Sequence, residues 1–134
     1  MGRVSDWNDV RPYFERPAVA HLATLMPDGA PYSVPVWVGV EGDGLAVFVE
    51  EGSRKDVNLQ RDPRVAVSIT DPDEPLSMAE MRGRVVRRLT GAEAQEIVDR
   101  IAVKYTGKPY VQRDGMTAFL LEPTSHSAND YSAD

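Results

Sequence analysis

Residues 18–50 read AVAHLATLMPDGAPYSVPVWVGVEGDGLAVFVE, and the way this stretch is punctuated decides the fold. Three apolar runs, 18–26, 31–40 and 45–50, are separated by Pro27-Asp28-Gly29-Ala30 and by Glu41-Gly42-Asp43-Gly44. Proline presets φ, Asp bonds the backbone two residues on, and Gly accepts positive φ, so both tetrapeptides read as turns. Connections that short join antiparallel neighbours. Within 31–40, Tyr32, Val34, Val36, Val38 and Val40 share one face by the two-residue period of a strand. Pro35 interrupts that run. It has no N–H for a ladder, so the strand is locally open, either as a sheet edge or beside a planar ligand lying against the backbone.

Working outward, further strands are expected at 64–70 (RVAVSIT), 78–90 (MAEMRGRVVRRLT) and 116–122 (MTAFLLE). Gly83 inside the second of these marks a bulge or a close backbone approach. Three helices interrupt the strands. Residues 5–15 start at Ser5 as N-cap and contain Pro12, and 54–61 follow Ser53, another cap. In 91–105, Thr90 and Glu93 have capping-box spacing, while Ala94, Ile97, Val98, Ile101, Ala102 and Tyr105 recur at helical intervals. Gly107 and Pro109 stop that helix. The expectation is a mainly β protein, a six-stranded antiparallel barrel with peripheral helices. Residues 1–123 form its single domain, and 124–134 a polar, poorly ordered C-terminal tail.

The chain of 134 residues suits one domain, and its 15 Lys+Arg against 21 Asp+Glu give a net charge of −6. That field disfavours non-specific binding to nucleic acid or to an anionic membrane. Absence of Cys removes disulfides, thiolate nucleophiles and thiolate metal sites. No apolar run reaches the roughly 18–20 residues of a membrane span. MGRVSDWNDV at the start lacks the apolar core of a signal peptide, so a cytoplasmic protein is expected. Of the two histidines, His21 lies in an apolar strand and reads as a packed, hydrogen-bonded residue, and His126 as a solvated one. No metal-ligand spacing, nucleophile elbow, P-loop or dinucleotide fingerprint occurs.

Two basic segments stand out. Gly52-Ser53-Arg54-Lys55 lies between a strand end and a helix start, where free N–H groups and the positive end of the helix dipole meet two cations. Cations in a first turn oppose the dipole, which a docked phosphate would offset; a capped surface helix with two solvated charges accounts for the residues equally. The second is Arg82-Gly83-Arg84-Val85-Val86-Arg87-Arg88. By alternation Arg82, Arg84 and Arg88 share one face and Met81, Val85 and Leu89 the other, and an exposed strand face blunted by charge explains it without a ligand.

Taken in order, LATLMPDGAPYSVPVWV (22–38), FVEEGSRKDVNL (48–59), DPRVAVSI (62–69) and MRGRVVRR (81–88) resemble the pyridoxamine 5′-phosphate oxidase-like split-barrel superfamily of flavin and deazaflavin oxidoreductases. KYTGKPY (104–110) resembles its branch that uses the deazaflavin coenzyme F420. The resemblance implies an FMN-binding type of split barrel, a homodimer with cofactor sites at the protomer interface, and a small-molecule substrate. It implies that Ser53, Arg54 and Lys55 clamp the cofactor phosphate. Val34, Pro35, Val36 and Trp37 would form the strand running beside the tricyclic ring. Glu50 falls where the family often carries a small hydroxyl residue near the phosphate, and Asn58 reads as helix support. Pyridoxamine phosphate oxidases continue into a C-terminal segment with tryptophan and Arg-x-His-type elements and often have a glutamine at the position of Met78; this chain has neither, so vitamin B6 oxidation is not expected.

The expected activity is therefore hydride transfer between F420 and a small conjugated organic molecule. FMN is the alternative cofactor, since both present a phosphate to Arg54 and Lys55. A non-catalytic flavin- or tetrapyrrole-binding protein is the alternative of another class. No catalytic side chain is assigned, with Tyr32, Tyr105 and Tyr110 as proton-donor candidates. Arg82, Arg84, Arg87 and Arg88 are candidates for contacts to the glutamyl tail of the deazaflavin.

Overall fold

The 18–50 stretch forms two hairpins that separate at Trp37. In the computed structural model, which describes residues 2–132, the strands are β1 (Arg3–Val4), β2 (Ala20–Leu25), β3 (Pro31–Val36), β4 (Val38–Glu41), β5 (Gly44–Glu50), β6 (Arg64–Thr70), β7 (Ser77–Leu89) and β8 (Met116–Asp130). The helices are α1 (Trp7–Glu15), α2 (Arg54–Arg61) and α3 (Gly91–Thr106). All strand pairs are antiparallel, in one sheet of order β3-β2-β6-β7-β8-β5-β4 with β1 added on β8. The two ends of that order, β3 and β4, are halves of one run of chain, so the sheet curls into a split barrel closed through Trp37.

Eight strands replace the expected six, for two local reasons. Residues 31–40 do not form one strand, because side chains of α3 take over the backbone beyond Trp37. The Tyr105 hydroxyl accepts from the Val38 N–H at 3.2 Å, and the Lys104 ammonium donates to the Val38 carbonyl. Short β1 adds the other strand. Both turns form as read: Met26 N–H bonds Ala30 O at 2.8 Å across the first, and Glu41 pairs with Gly44 across the second.

The stretch expected to be a polar tail is the largest correction. β8 runs unbroken to Asp130, paired with β7 along its length and with β1 near its end. Its polar residues are partners of β7: Arg82 donates to Ser125 Oγ at 2.7 Å, Ser127 Oγ to Glu80 at 3.1 Å, while Ala128 is buried against Ala79. His126 is likewise half-buried, its ring 5.1 Å from that of Trp7.

Two apolar layers hold the sheet. Inside the barrel lie Leu22, Leu45, Val47, Val67, Met81, Phe119 and Leu121, with Val10 and Phe14 of α1 packed among them. Each such fully buried side chain contributes about 1.5–3 kcal/mol. Outside, Ala94, Ile97 and Ile101 of α3 pack on Ala46, Leu89 and Ala118. β5 is therefore buried on both faces, whereas β6 alternates buried and open residues.

Helix ends differ slightly from expectation. Asp6, not Ser5, caps α1, accepting the Asn8 N–H at 2.9 Å. Thr90 caps α3 without a side-chain bond, and the Glu93 carboxylate pairs with Arg87 instead of reaching back, so neither half of the capping box forms. Gly107 ends α3 in the left-handed conformation as read.

Candidate functional site

A groove of about 350 Å³ opens where the Trp37 break, β5, α2 and the segment after α3 meet. Pro35, Val36, Trp37, Phe48 and Tyr110 line it, and Lys55 stands as its cation. Aromatic packing sets the wall. Trp37 stacks on Tyr105 with centroids 4.9 Å apart and planes 8° apart, and Phe48 meets Tyr110 edge-on at 5.1 Å. Tyr110 is held by its backbone: its N–H donates to Asp99 at 3.1 Å, and Arg113 donates both to Asp99 and to the Tyr110 carbonyl. The Arg113 guanidinium, against burial and aided by Gln95 and the Tyr110 N–H, keeps the Asp99 carboxyl below its ordinary range.

The three tyrosines separate cleanly. Tyr105 donates to the Ala18 carbonyl at 2.6 Å and accepts from Val38, and burial raises its pKa, so its hydroxyl is committed to structure. Tyr32 lies along β3 opposite Thr24, away from the groove lining. Tyr110 lines the groove, and among the described residues its hydroxyl has no hydrogen-bond partner.

At the foot of the groove, Gly52 adopts φ +81°, a conformation that lets the chain turn from β5 into α2. Ser53 caps α2, accepting the Asp56 N–H at 3.3 Å, and Asp56 reaches back to the Gly52 N–H at 2.8 Å, a variant capping box. Ser53 and Val57 N–H groups bond Glu50 O and Ser53 O. Among the described residues, the N–H groups of Arg54 and Lys55 have no partner, and neither do their side chains. Two free amides and two free cations at one helix start are what an anion needs.

The arginine segment behaves differently. Arg82 pairs with Glu80, Arg84 with Glu122, Arg87 with Glu93 and Arg88 with Asp56. Nor do Arg82, Arg84 and Arg88 share a face. The ladder with β8 shifts between Val85 and Arg87, and this bulge turns Arg88 to the side of Phe119 while Arg84 lies opposite Glu122. Gly83 is the close approach that was read, since a Cβ there would stand 2.0 Å from the Glu122 carbonyl oxygen.

Of the residues singled out in sequence, Pro35, Val36, Trp37 and Lys55 come together in the groove. Arg54 is exposed beside Lys55, and Ser53 supports both as the cap. Val34 pairs with Leu22 within β3, and Glu50 is exposed at the end of β5 opposite Met116; neither lines the groove. Asn58 is buried and donates to Thr24 Oγ1 at 3.0 Å, anchoring α2 to β2. Sequence alone does not single out Phe48, Met116 and Asp56. Phe48 was visible only as one apolar residue in a strand, and the role of Asp56 depends on a partner 32 residues away. Among the described residues no group of three His, Asp or Glu is arranged to hold a metal, and no helix is long and apolar enough to cross a membrane.

Known proteins resemble this chain at several levels. The family model described as pyridoxamine 5′-phosphate oxidase matches residues 7–126. A solved F420 reductase is 28% identical, with a TM-score of 0.77 over 87% of this chain and 94% of that one. The conserved hypothetical protein Rv2991 from Mycobacterium tuberculosis shares the fold at 22% identity and TM-score 0.80, over 96% of this chain and 87% of its own. So does a heme binding protein from Mycobacterium smegmatis, at 23% identity and TM-score 0.72, over 98% of this chain and 57% of its own. No curated protein matches the sequence.

Proposed function

This chain belongs to the pyridoxamine 5′-phosphate oxidase family, and from that premise we propose that it is an oxidoreductase that uses the deazaflavin F420 to reduce a small conjugated organic substrate. The observation that carries the reading is the groove itself: a flat apolar wall at Pro35–Trp37, with the unpaired Arg54 and Lys55 at its foot. A planar ring with an anionic side chain fits that pairing of surfaces. The likeness to an F420 reductase supports the choice of deazaflavin over FMN.

In this reading Arg54 and Lys55 hold the cofactor phosphate through side chains and free amides, with Ser53 fixing the turn that presents them. Pro35, Val36 and Trp37 orient the ring, Val34 precedes them within β3, and Glu50 ends β5 near the phosphate. When bound, the cofactor supplies the hydride chemistry; the chain supplies binding, orientation and exclusion of water. Phe48 and Tyr110 keep the groove apolar, and Tyr110, which lines it with its hydroxyl uncommitted among the described residues, is the candidate proton donor. A second copy of the chain closes the site over the outer face of β2 and β6, where the small or polar Ala23, Ala66, His21 and Ser68 lie with Leu25 and Arg64.

The test is a titration of purified protein with oxidised F420 and, separately, FMN, alongside sedimentation to count protomers. Micromolar or tighter F420 affinity, weaker FMN binding and a dimer are expected. Preference for FMN moves the protein to flavin chemistry, and binding of neither removes the cofactor assignment.

A further inference from the structure

Arg88 lies outside the groove, yet its position is unusual for a strand residue. The bulge at Val86 inverts the alternation of β7 just before it, and the guanidinium thereby reaches across to the first turn of α2. There Nε and Nη2 donate to the two oxygens of Asp56, each at 2.9 Å. Asp56 is fully buried and also accepts from the Gly52 N–H and the Gln60 amide. Burial pushes its carboxyl up, and Arg88 with the Gly52 N–H more than offsets this, so it stays an anion. The same carboxylate thus ties together the turn at Gly52, the first turn of α2 and the end of β7.

This geometry has two effects on the neighbouring residues. By engaging the Gly52 N–H and offering its own N–H to Ser53, Asp56 leaves the amides of Arg54 and Lys55 as the free donors of the turn. Left alone, a buried carboxylate one residue from Lys55 would also repel an incoming phosphate. Arg88 cancels that charge with a fork that matches both oxygens. We infer that Arg88 and Asp56 are positioning residues for the anion clamp: the pair sets the pose of Arg54 and Lys55 and shields them from the carboxylate, without touching the ligand. The inference rests on the cofactor reading above.

The test compares ligands that differ in the phosphate. Affinities of wild type, Arg88→Lys and the neutral double variant Asp56→Asn/Arg88→Gln are measured for FMN against riboflavin, and for F420 against its chromophore without the phosphate-bearing tail. Lysine keeps the charge and loses the fork; the double variant keeps hydrogen-bonding groups and removes both charges, so folding survives in at least one of them. The expected result is a loss of roughly tenfold for the phosphate-bearing ligand, about one charge-assisted bond out of register, with the phosphate-free partner unchanged. Equal losses for both ligands, or no loss in a folded variant, overturn the inference while leaving the cofactor reading intact. A wild-type protein that binds none of the four ligands overturns both.

Discussion

Arg54-Lys55 and Arg82–Arg88 look alike as basic segments, yet the fold treats them in opposite ways. All four arginines of β7 end on carboxylates, from the exposed Arg84–Glu122 pair to the buried Asp56. Arg54 and Lys55 are given none among the described residues, although Asp56 follows directly in sequence, because that carboxylate is already taken by Arg88. What sets the two segments apart is therefore the presence or absence of an internal partner rather than the density of positive charge. The larger basic cluster is spent on internal ion pairs, and the smaller one is left for the anion of the proposed cofactor.

Breaking the distinction at its most buried point has the largest expected effect. Arg88→Met leaves Asp56 without its counter-charge, which should cost on the order of 3 kcal/mol in urea unfolding. Next comes Arg54→Ala/Lys55→Ala, which should weaken F420 binding about 100-fold by titration, the worth of two charge-assisted contacts, while leaving the unfolding midpoint unchanged. Loss of stability without loss of affinity in that variant would reverse the assignment of the two segments.

Lys104 sharpens the contrast as a cation of a third kind, half-buried and bonded to the carbonyls of Phe14 and Val38 rather than to a carboxylate. Burial brings its pKa down to about 8, with Glu15 opposing. The unfolded chain keeps this proton up to its ordinary value of 10.5 while the folded chain releases it near 8, so stability should rise with pH between the two. Urea midpoints at about pH 7.5 and 9.5 should show that slope in wild type and lose it in Lys104→Met. The smallest effect belongs to Arg84→Ala: its side chain is 60% exposed, and removing it should change stability by less than about 0.5 kcal/mol and affinity not at all.

The parts of this picture that were legible in sequence are those decided within a few residues. α2 begins and ends where Ser53 and the strand signal at Arg64 place it, and the two turns and Gly107 follow from local φ requirements. The illegible parts depend on distant partners. Nothing in Val85-Val86-Arg87 announces a bulge, so simple alternation put Arg88 on the wrong face. Residues 124–130 look like a tail because their polar side chains match groups on β7, which composition alone does not show. Trp37 divides a seemingly uniform strand only because Lys104 and Tyr105, some 66 residues on, satisfy the backbone at the break. For the site, the wall and the cations were visible, whereas the brace behind them was not.

The open edge of β3 carries one more consequence. Since Met26 N–H bonds Ala30 O, alternation along this hairpin turns the nitrogens of Pro31, Ser33 and Pro35 away from β2, toward the free edge. Two of those three positions have no hydrogen to donate. An incoming polypeptide strand needs a regular row of donors to zip onto an edge, and here the row is broken twice, so the edge resists templated aggregation. A compact ligand needs only one or two such contacts. The prolines thus leave a sheet edge that a small molecule can use and another chain's backbone cannot extend.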